Sequence, residues 1–216
     1  MILKVCGITD RCKGIEEIPA THLGFIFHRP SPRNAFSTAP EFIRRLGRKY
    51  ATTGVFVDSD LDEIERICRE RDIRTVQLHG SESPEFCRQL KSQGYTVIKA
   101  VRVMPATTKE DLVRLSGDYR DKADYLLFDT GGKLPGGNGM KFNWQLLETP
   151  LEMPYILSGG IGPEDSEEVG GMLMRPPLRF EGLDINSRFE VSPGEKDIKL
   201  INEFINKIHE QRPQPA

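Results

Sequence analysis

Ile2-Leu3-Lys4-Val5-Cys6-Gly7-Ile8-Thr9-Asp10 opens the chain as a short, mostly apolar run that ends on a thiol and a glycine. A run of this kind reads as a buried strand of a parallel sheet. The residues just past it separate two ways of arranging such strands. An open, doubly wound sheet places a glycine fingerprint directly after its first strand. Here that position reads Cys6-Gly7-Ile8-Thr9-Asp10, and no dinucleotide fingerprint is present.

Further strand candidates lie at residues 23–27, 53–57, 75–79, 96–101, 125–129, 155–158 and 178–185, which makes eight with residues 2–6. Helical patterns lie at 40–48, 61–70, 84–93, 109–115 and 163–173, with a last one at 196–210. Leu61, Ile64, Ile67 and Cys68 recur at helical spacing and predict one face packed on a sheet. Ser83-Pro84-Glu85 reads as an N-cap followed by proline in the first turn. Strand–helix alternation predicts parallel strands joined by right-handed crossovers. Eight such units predict an α/β fold closed into one (βα)8 barrel over residues 1–210, with 211–216 as a frayed, proline-rich tail. The first helix is expected to be short or distorted, because Gly14 and Pro19 interrupt it.

Composition narrows the function. The 216 residues carry 30 basic and 32 acidic side chains, a formal charge of -2. With no basic tract, nucleic acid is not an expected partner. No apolar run approaches the roughly 20 residues that span a bilayer, so no membrane is expected either. The N-terminus lacks a signal-peptide pattern. Four cysteines, none in a Cys-x-x-Cys pair, and scarce histidine argue against zinc and suit a reducing cytoplasm.

In a parallel barrel all strand ends meet at one face, and that face carries the chemistry. Cys6 ends the first strand and Asp129 ends the sixth, so a thiol and a carboxyl meet there as a base–acid pair. Cys6 taken alone is a small buried hydrophobe. The seventh strand runs into Ser158-Gly159-Gly160-Ile161-Gly162-Pro163, and the eighth into Asp184-Ile185-Asn186-Ser187. Loops after strands seven and eight are the usual phosphate site of such barrels, and glycine lets backbone N–H groups approach an oxyanion. The cluster Gly131–Gly139 comes directly after Asp129 and Thr130 and reads equally as a solvated loop or a mobile lid.

These residues resemble the phosphoribosylanthranilate isomerase family over nearly the whole chain. The resemblance rests on Lys4–Thr9, Gly24–Phe27, Ser31-Pro32-Arg33, Gly54–Val57, Val76–Gly80, Leu127–Thr130, the Gly-Gly-x-Gly-x-x-Phe-x-Trp pattern at Gly136–Trp144, Leu157–Gly160 and Asp184–Ser187. It implies a (βα)8 barrel and an Amadori rearrangement of N-(5-phosphoribosyl)anthranilate to the carboxyphenylamino-deoxyribulose phosphate, in tryptophan biosynthesis. It further implies Asp129 as the acid, Cys6 as the base, Arg33 against the anthranilate carboxylate, and Gly159, Gly160, Asp184, Asn186 and Ser187 around the phosphoribosyl group. His79 is expected to orient polar groups at the mouth. The Cys6 thiol is expected in surroundings that lower its pKa, and the Asp129 carboxyl in surroundings that raise it. No metal or cofactor is expected, and the partner is a small phosphoribosyl substrate, bound by a monomer or homodimer. Asn186-Ser187-Arg188 departs from the family's Ser-Ser-Gly, which either tightens the loop or adds an Arg188 phosphate contact. The role of Lys141 stays open.

Other phosphosugar barrel enzymes fit less well. An epimerase would need metal-binding His and Asp at strand ends, and only His79 is available. An indole-glycerol-phosphate synthase would need Lys and Glu at early strand ends, and no matching set is present. A non-enzymatic phosphoribosyl-binding barrel would not need both Cys6 and Asp129.

Overall fold

The computed structural model describes residues 1–131 and 141–210. The tail 211–216 and all but the first residue of the 131–139 glycine cluster lie outside the described residues. Eight parallel strands form the wall of a closed barrel: β1 (Ile2–Cys6), β2 (His22–Phe27), β3 (Ala51–Phe56), β4 (Thr75–Leu78), β5 (Thr96–Val103), β6 (Tyr125–Thr130), β7 (Tyr155–Leu157) and β8 (Phe180–Ile185). Each pairs with the next, and β8 pairs with β1 in the register Lys4↔Asp184. This is the expected (βα)8 architecture. Outside it pack α1 (Pro40–Leu46), α2 (Leu61–Arg71), α3 (Pro84–Ser92), α4 (Lys109–Tyr119), α5 (Ser166–Met174) and α6 (Ile198–Glu210).

Local signals explain where these helices begin. Asp60 accepts from Glu63 N–H at 2.7 Å at the start of α2, and Ser83 accepts from Phe86 N–H at 3.2 Å ahead of Pro84 in α3. Thr108 and Asp111 form a reciprocal capping box on α4. Each satisfies N–H groups that a helix end leaves unpaired.

Strand alternation divides the apolar residues into two cores. Leu3 and Val5 face outward into the annulus between barrel and helices, which also holds Ile64 and Ile67 of α2 and Ile201, Phe204, Ile205 and Ile208 of α6. Ile2 faces inward with Ile98, Ala100, Leu127 and Ile156, a separate cluster on the barrel floor.

The first crossover is a 3₁₀ turn at Ile15–Glu17, as its glycine and proline foretold. Gly14, at φ 77°, a conformation that favours glycine, leads into the turn, and Ile18 is already extended ahead of Pro19, so the turn stops after three residues. Tyr50 supplies one donor there: its hydroxyl lies 2.9–3.2 Å from the carbonyls of Ile15, Glu16 and Ile18, which share its single proton. Between β6 and β7 the described residues likewise hold only a 3₁₀ turn, Trp144–Leu147.

Two expectations need correction near the C-terminus. β8 begins at Phe180, two residues later than expected, because Arg179 has φ 67° and Leu178 is 65% exposed. Lys196 does not start the last helix. It lies in a small hairpin, β9 (Glu190–Ser192) and β10 (Glu195–Lys196), which turns through Gly194 at φ 80° and buries the Lys196 side chain.

Candidate active site

Cys6, Arg33, His79, Asp129, Gly159, Gly160, Asp184, Asn186 and Ser187 all line one cavity at the mouth formed by the C-terminal ends of the strands. The nine residues come from loops and strand ends spread from β1 to β8, and the barrel alone unites them. Ile26, His28, Ser31, Val55, Val57, Gln77, Ser158 and Ile161 complete the lining.

On β1 the inward row climbs from Ile2 to Lys4 to Cys6. Lys4 has no exposed surface, and its Nζ donates to Asp184 Oδ1 at 2.9 Å on the neighbouring strand. Cys6 is 3% exposed. Burial pushes its thiol pKa up, while the Lys4 and Lys196 ammonium groups pull it down and Asp184 pushes it further up. The net direction is upward, so the lowered thiol pKa expected from the sequence is not found. Burial would discharge Lys4, but Asp184 and then Cys6 outweigh it, and its pKa sits above that of an ordinary lysine.

Asp129 faces Cys6's side of the cavity from β6. Its Oδ2 lies 3.1 Å from His79 Nε2, and His79 Nδ1 lies 2.9 Å from Gln77 Nε2. With the Gln77 amide nitrogen on Nδ1, Nε2 is the ring nitrogen turned to the Asp129 carboxyl. Gln77 lies on β4 and His79 just past its end, two residues on, which is why one side chain can steady the other. Gly159, at φ 82°, passes close by: a Cβ there would stand 2.2 Å from Thr130 N and 2.6 Å from Asp129 Oδ1. Any side chain at this position would displace the Asp129 carboxyl or the Thr130 backbone.

Arg33 reaches the cavity already paired with a carboxylate. Its Nε lies 3.0 and 2.9 Å from the two oxygens of Glu190, and its Nη2 2.8 Å from Oε2. Lys196 Nζ donates to the other side of Glu190 at 2.8 Å and to Asn186 Oδ1 at 2.8 Å. Burial alone would raise the Glu190 carboxyl, but Arg33 and Lys196 hold it below the ordinary glutamate range. The hairpin thus fixes the arginine fork and one loop of the mouth together.

In the β7 loop Gly159 and Gly160 have φ 82° and 74°. The N–H of Gly162 is already taken by Asp165 Oδ2 at 2.7 Å, and Pro163 opens a three-residue 3₁₀ turn ahead of α5, not the helix itself. Arg188 Nη2 lies 2.5 Å from Glu164 Oε1, an ion pair between the β7 and β8 loops. Lys141 pairs with Asp165 and covers the Trp144 ring at 5.1 Å, so it pins the start of α5 and is absent from the cavity lining.

Sequence reasoning passed over Lys4, Gln77, Glu190 and Lys196. For Lys4 a signal existed: a charge inside an apolar strand, two residues before the thiol. Among the described residues no cluster of three or more His, Cys, Asp and Glu is placed to hold a metal, and no helix is long and apolar enough to cross a membrane.

Comparison with known proteins places the chain in one family. Residues 3–207 match the family described as N-(5'-phosphoribosyl)anthranilate isomerase. The isomerase of Parabacteroides distasonis is 37% identical, covering 96% of this chain and 93% of its own. The Thermus thermophilus isomerase structure superposes with a TM-score of 0.78 at 31% identity, covering 98% of this chain and all of its own. A further isomerase structure, in complex with reduced 1-(o-carboxyphenylamino)-1-deoxyribulose 5-phosphate, has a TM-score of 0.75 at 29% identity over 97% of this chain and all of its own. With barrel, cavity and full-length similarity in accord, the chain belongs to the N-(5'-phosphoribosyl)anthranilate isomerase family of tryptophan biosynthesis.

Proposed function

We propose that the chain converts N-(5'-phosphoribosyl)anthranilate to 1-(2-carboxyphenylamino)-1-deoxyribulose 5-phosphate, with Asp129 as general acid and Cys6 as general base. The observation that carries this reading is the convergence of Cys6 and Asp129 on one cavity that also holds Arg33 and the Gly159–Gly160 and Asn186–Ser187 loops. The relative solved with a reduced product analogue holds a ligand with a carboxylate at one end and a phosphate at the other. The cavity offers a guanidinium and glycine-rich backbone for those two ends.

The chemistry rests on what each group can do. Asp129 gives its proton to the ribose ring oxygen, and the ring opens to a Schiff base. Cys6 then takes the C2′ proton, and the enolamine tautomerises to the ketone. His79, held by Gln77, aims the carboxyl of Asp129. Arg33, held by Glu190, presents its remaining N–H groups to the anthranilate carboxylate. Asp184 and Asn186 meet the sugar side of the cavity, and Gly160 and Ser187 offer backbone donors to the phosphate. Both proton transfers use side chains, so the reaction calls for no cofactor. Four free cysteines fit work in a reducing cytoplasm.

Phosphoribosylanthranilate fluorescence tests the proposal. It is expected to fall continuously on addition of catalytic amounts of the protein. A saturating change stoichiometric with protein, and no turnover, would make this a binding barrel instead.

A further inference from the structure

Lys4 is a charge in an expensive place. Taking an ammonium and a carboxylate out of water costs more than their attraction returns unless the geometry is excellent, and apolar side chains of similar volume are often as stabilising. One layer below, Ile2, Ile98, Ala100, Leu127 and Ile156 show that the same interior accepts aliphatic packing. Stability alone therefore does not account for Lys4.

Its neighbour does. The next inward residue on β1 is Cys6, one pleat nearer the mouth. β2 meets Cys6 with Gly24 in the barrel register. A Cβ built on Gly24 would stand 2.8 Å from Cys6 Sγ and 3.1 Å from Lys4 Nζ. Sulfur and ammonium nitrogen are thus within about 6 Å of each other, the range over which a cation favours an anion. Gly24 puts no side chain into the gap. An ammonium has three donors, and Asp184 Oδ1 engages one of them at 2.9 Å.

We propose that Lys4 is a positioning residue for the base: its ammonium, anchored by Asp184, faces the Cys6 sulfur and stabilises the thiolate that proton abstraction requires. This rests on the reading of Cys6 as base. The other charges that act on the sulfur divide. Lys196 reinforces Lys4 from the β9–β10 hairpin, and Asp184 opposes it from β8. The Asp129–His79 pair faces the same cavity from β6 and β4. The arrangement answers a conflict in the site. Burial shields Cys6 from water but disfavours its charged form, and a fixed cation at short range counters part of that penalty without opening the site to solvent.

The test reads the acidity of the thiol apart from turnover. In Lys4→Met, alkylation of Cys6 by iodoacetamide is tracked against pH by mass spectrometry of the peptide that carries it, beside the pH profile of kcat/KM. Both midpoints are expected to rise by about 1–3 pH units. At neutral pH kcat should fall in step, about tenfold per unit, with little change in KM. An unmoved alkylation midpoint overturns the proposal. Lys4→Met strands the Asp184 carboxylate, so Lys4→Met/Asp184→Leu is made beside it. That variant removes both charges, and its midpoint is still expected above wild type; a midpoint at or below wild type overturns the proposal in the same way. Cys6→Ser separates this from the reading it rests on. Full turnover in Cys6→Ser removes the base assignment, whereas an inactive Cys6→Ser with an unmoved Lys4→Met midpoint removes Lys4 alone.

Discussion

In the lower half of the barrel interior Ile2, Ile98, Ala100, Leu127 and Ile156 touch one another; two residues further along the chain from Ile2, Leu127 and Ile156 stand Lys4, Asp129 and Ser158, with Cys6 above Lys4 and Asp184 beside it on β8. The lower layer is buried and the upper one lines the cavity at the mouth, and the two are filled on different terms. The lower layer gains free energy from every apolar area it buries. The upper layer holds buried and half-buried polar groups by pairing them: Lys4 with Asp184, His79 with Asp129 and Gln77, Arg33 and Lys196 with Glu190. Such pairing contributes little net stability, but it fixes direction. The contrast shows where in one continuous scaffold geometry is specified for chemistry and where it is specified for packing.

Substitutions at the top should therefore damage rate far more than fold. Asp129→Asn keeps shape and hydrogen bonding but has no proton to give, so ring opening becomes slow. Cys6→Ser leaves a far poorer base. Each is expected to reduce turnover by roughly 10²–10⁴-fold, the worth of positioned proton transfer, with melting temperature and product-analogue affinity little changed. Turnover, melting and analogue binding measured on the same samples decide the matter. If either rate falls only in proportion to lost stability or affinity, that residue belongs with the packing layer.

The reverse is expected at the bottom. Leu127 is fully buried in the floor cluster. Leu127→Ala should lower unfolding free energy by about 2–5 kcal/mol, through lost transfer energy and a residual cavity. KM and kcat well below the melting transition should stay within about threefold, since no atom removed reaches the mouth. Urea denaturation and steady-state kinetics check both halves. A large kcat loss in a folded Leu127→Ala protein would mean that the two layers are mechanically coupled.

The two layers were also unequally legible in the sequence. Parallel strands buried on both faces read as nearly continuous apolar runs, so all eight could be found. The broken first crossover showed through Gly14 and Pro19. Cys6 and Asp129 could be named because they close apolar runs. Their partners could not. Lys4 stands out as a charge inside an apolar strand, but its partner cannot be read until the strand that holds Asp184, 180 residues away, is known to close the barrel against it. Arg33 was named by resemblance, but nothing local disclosed Glu190, 157 residues on. The hairpin that carries Glu190 and Lys196 has strands of three and two residues, too short to show a period. The start of β8 was misplaced because Leu178 is apolar yet exposed, and only the left-handed backbone of Arg179 shows where the loop ends.

The smallest expected effect separates the layers by their response to acid. Glu190 has a side chain only 4% exposed, gripped by Arg33 and Lys196. Burial works to raise its pKa, but the two cations prevail and it lies below the ordinary glutamate range. An unfolded glutamate titrates near pH 4.3. Below that pH the unfolded chain binds more protons at this site than the folded one, so its contribution to stability is complete above about pH 4.3 and fades as pH falls through the lower, folded value. Glu190→Gln keeps the volume and removes the charge. At pH 7 it should cost about 1–3 kcal/mol, the scale of hydrogen bonds to charged groups. That cost should shrink as the wild-type protein is acidified below pH 4.3, because the wild-type carboxylate is then neutralised as well. The deficit of Leu127→Ala has no titrating group behind it and should hold constant over the same range. Urea unfolding of the three proteins at pH 7 and at successive pH values below 4.3 gives the comparison directly. A Glu190→Gln deficit that stays flat with pH would show that Glu190 holds the mouth by packing and not by charge.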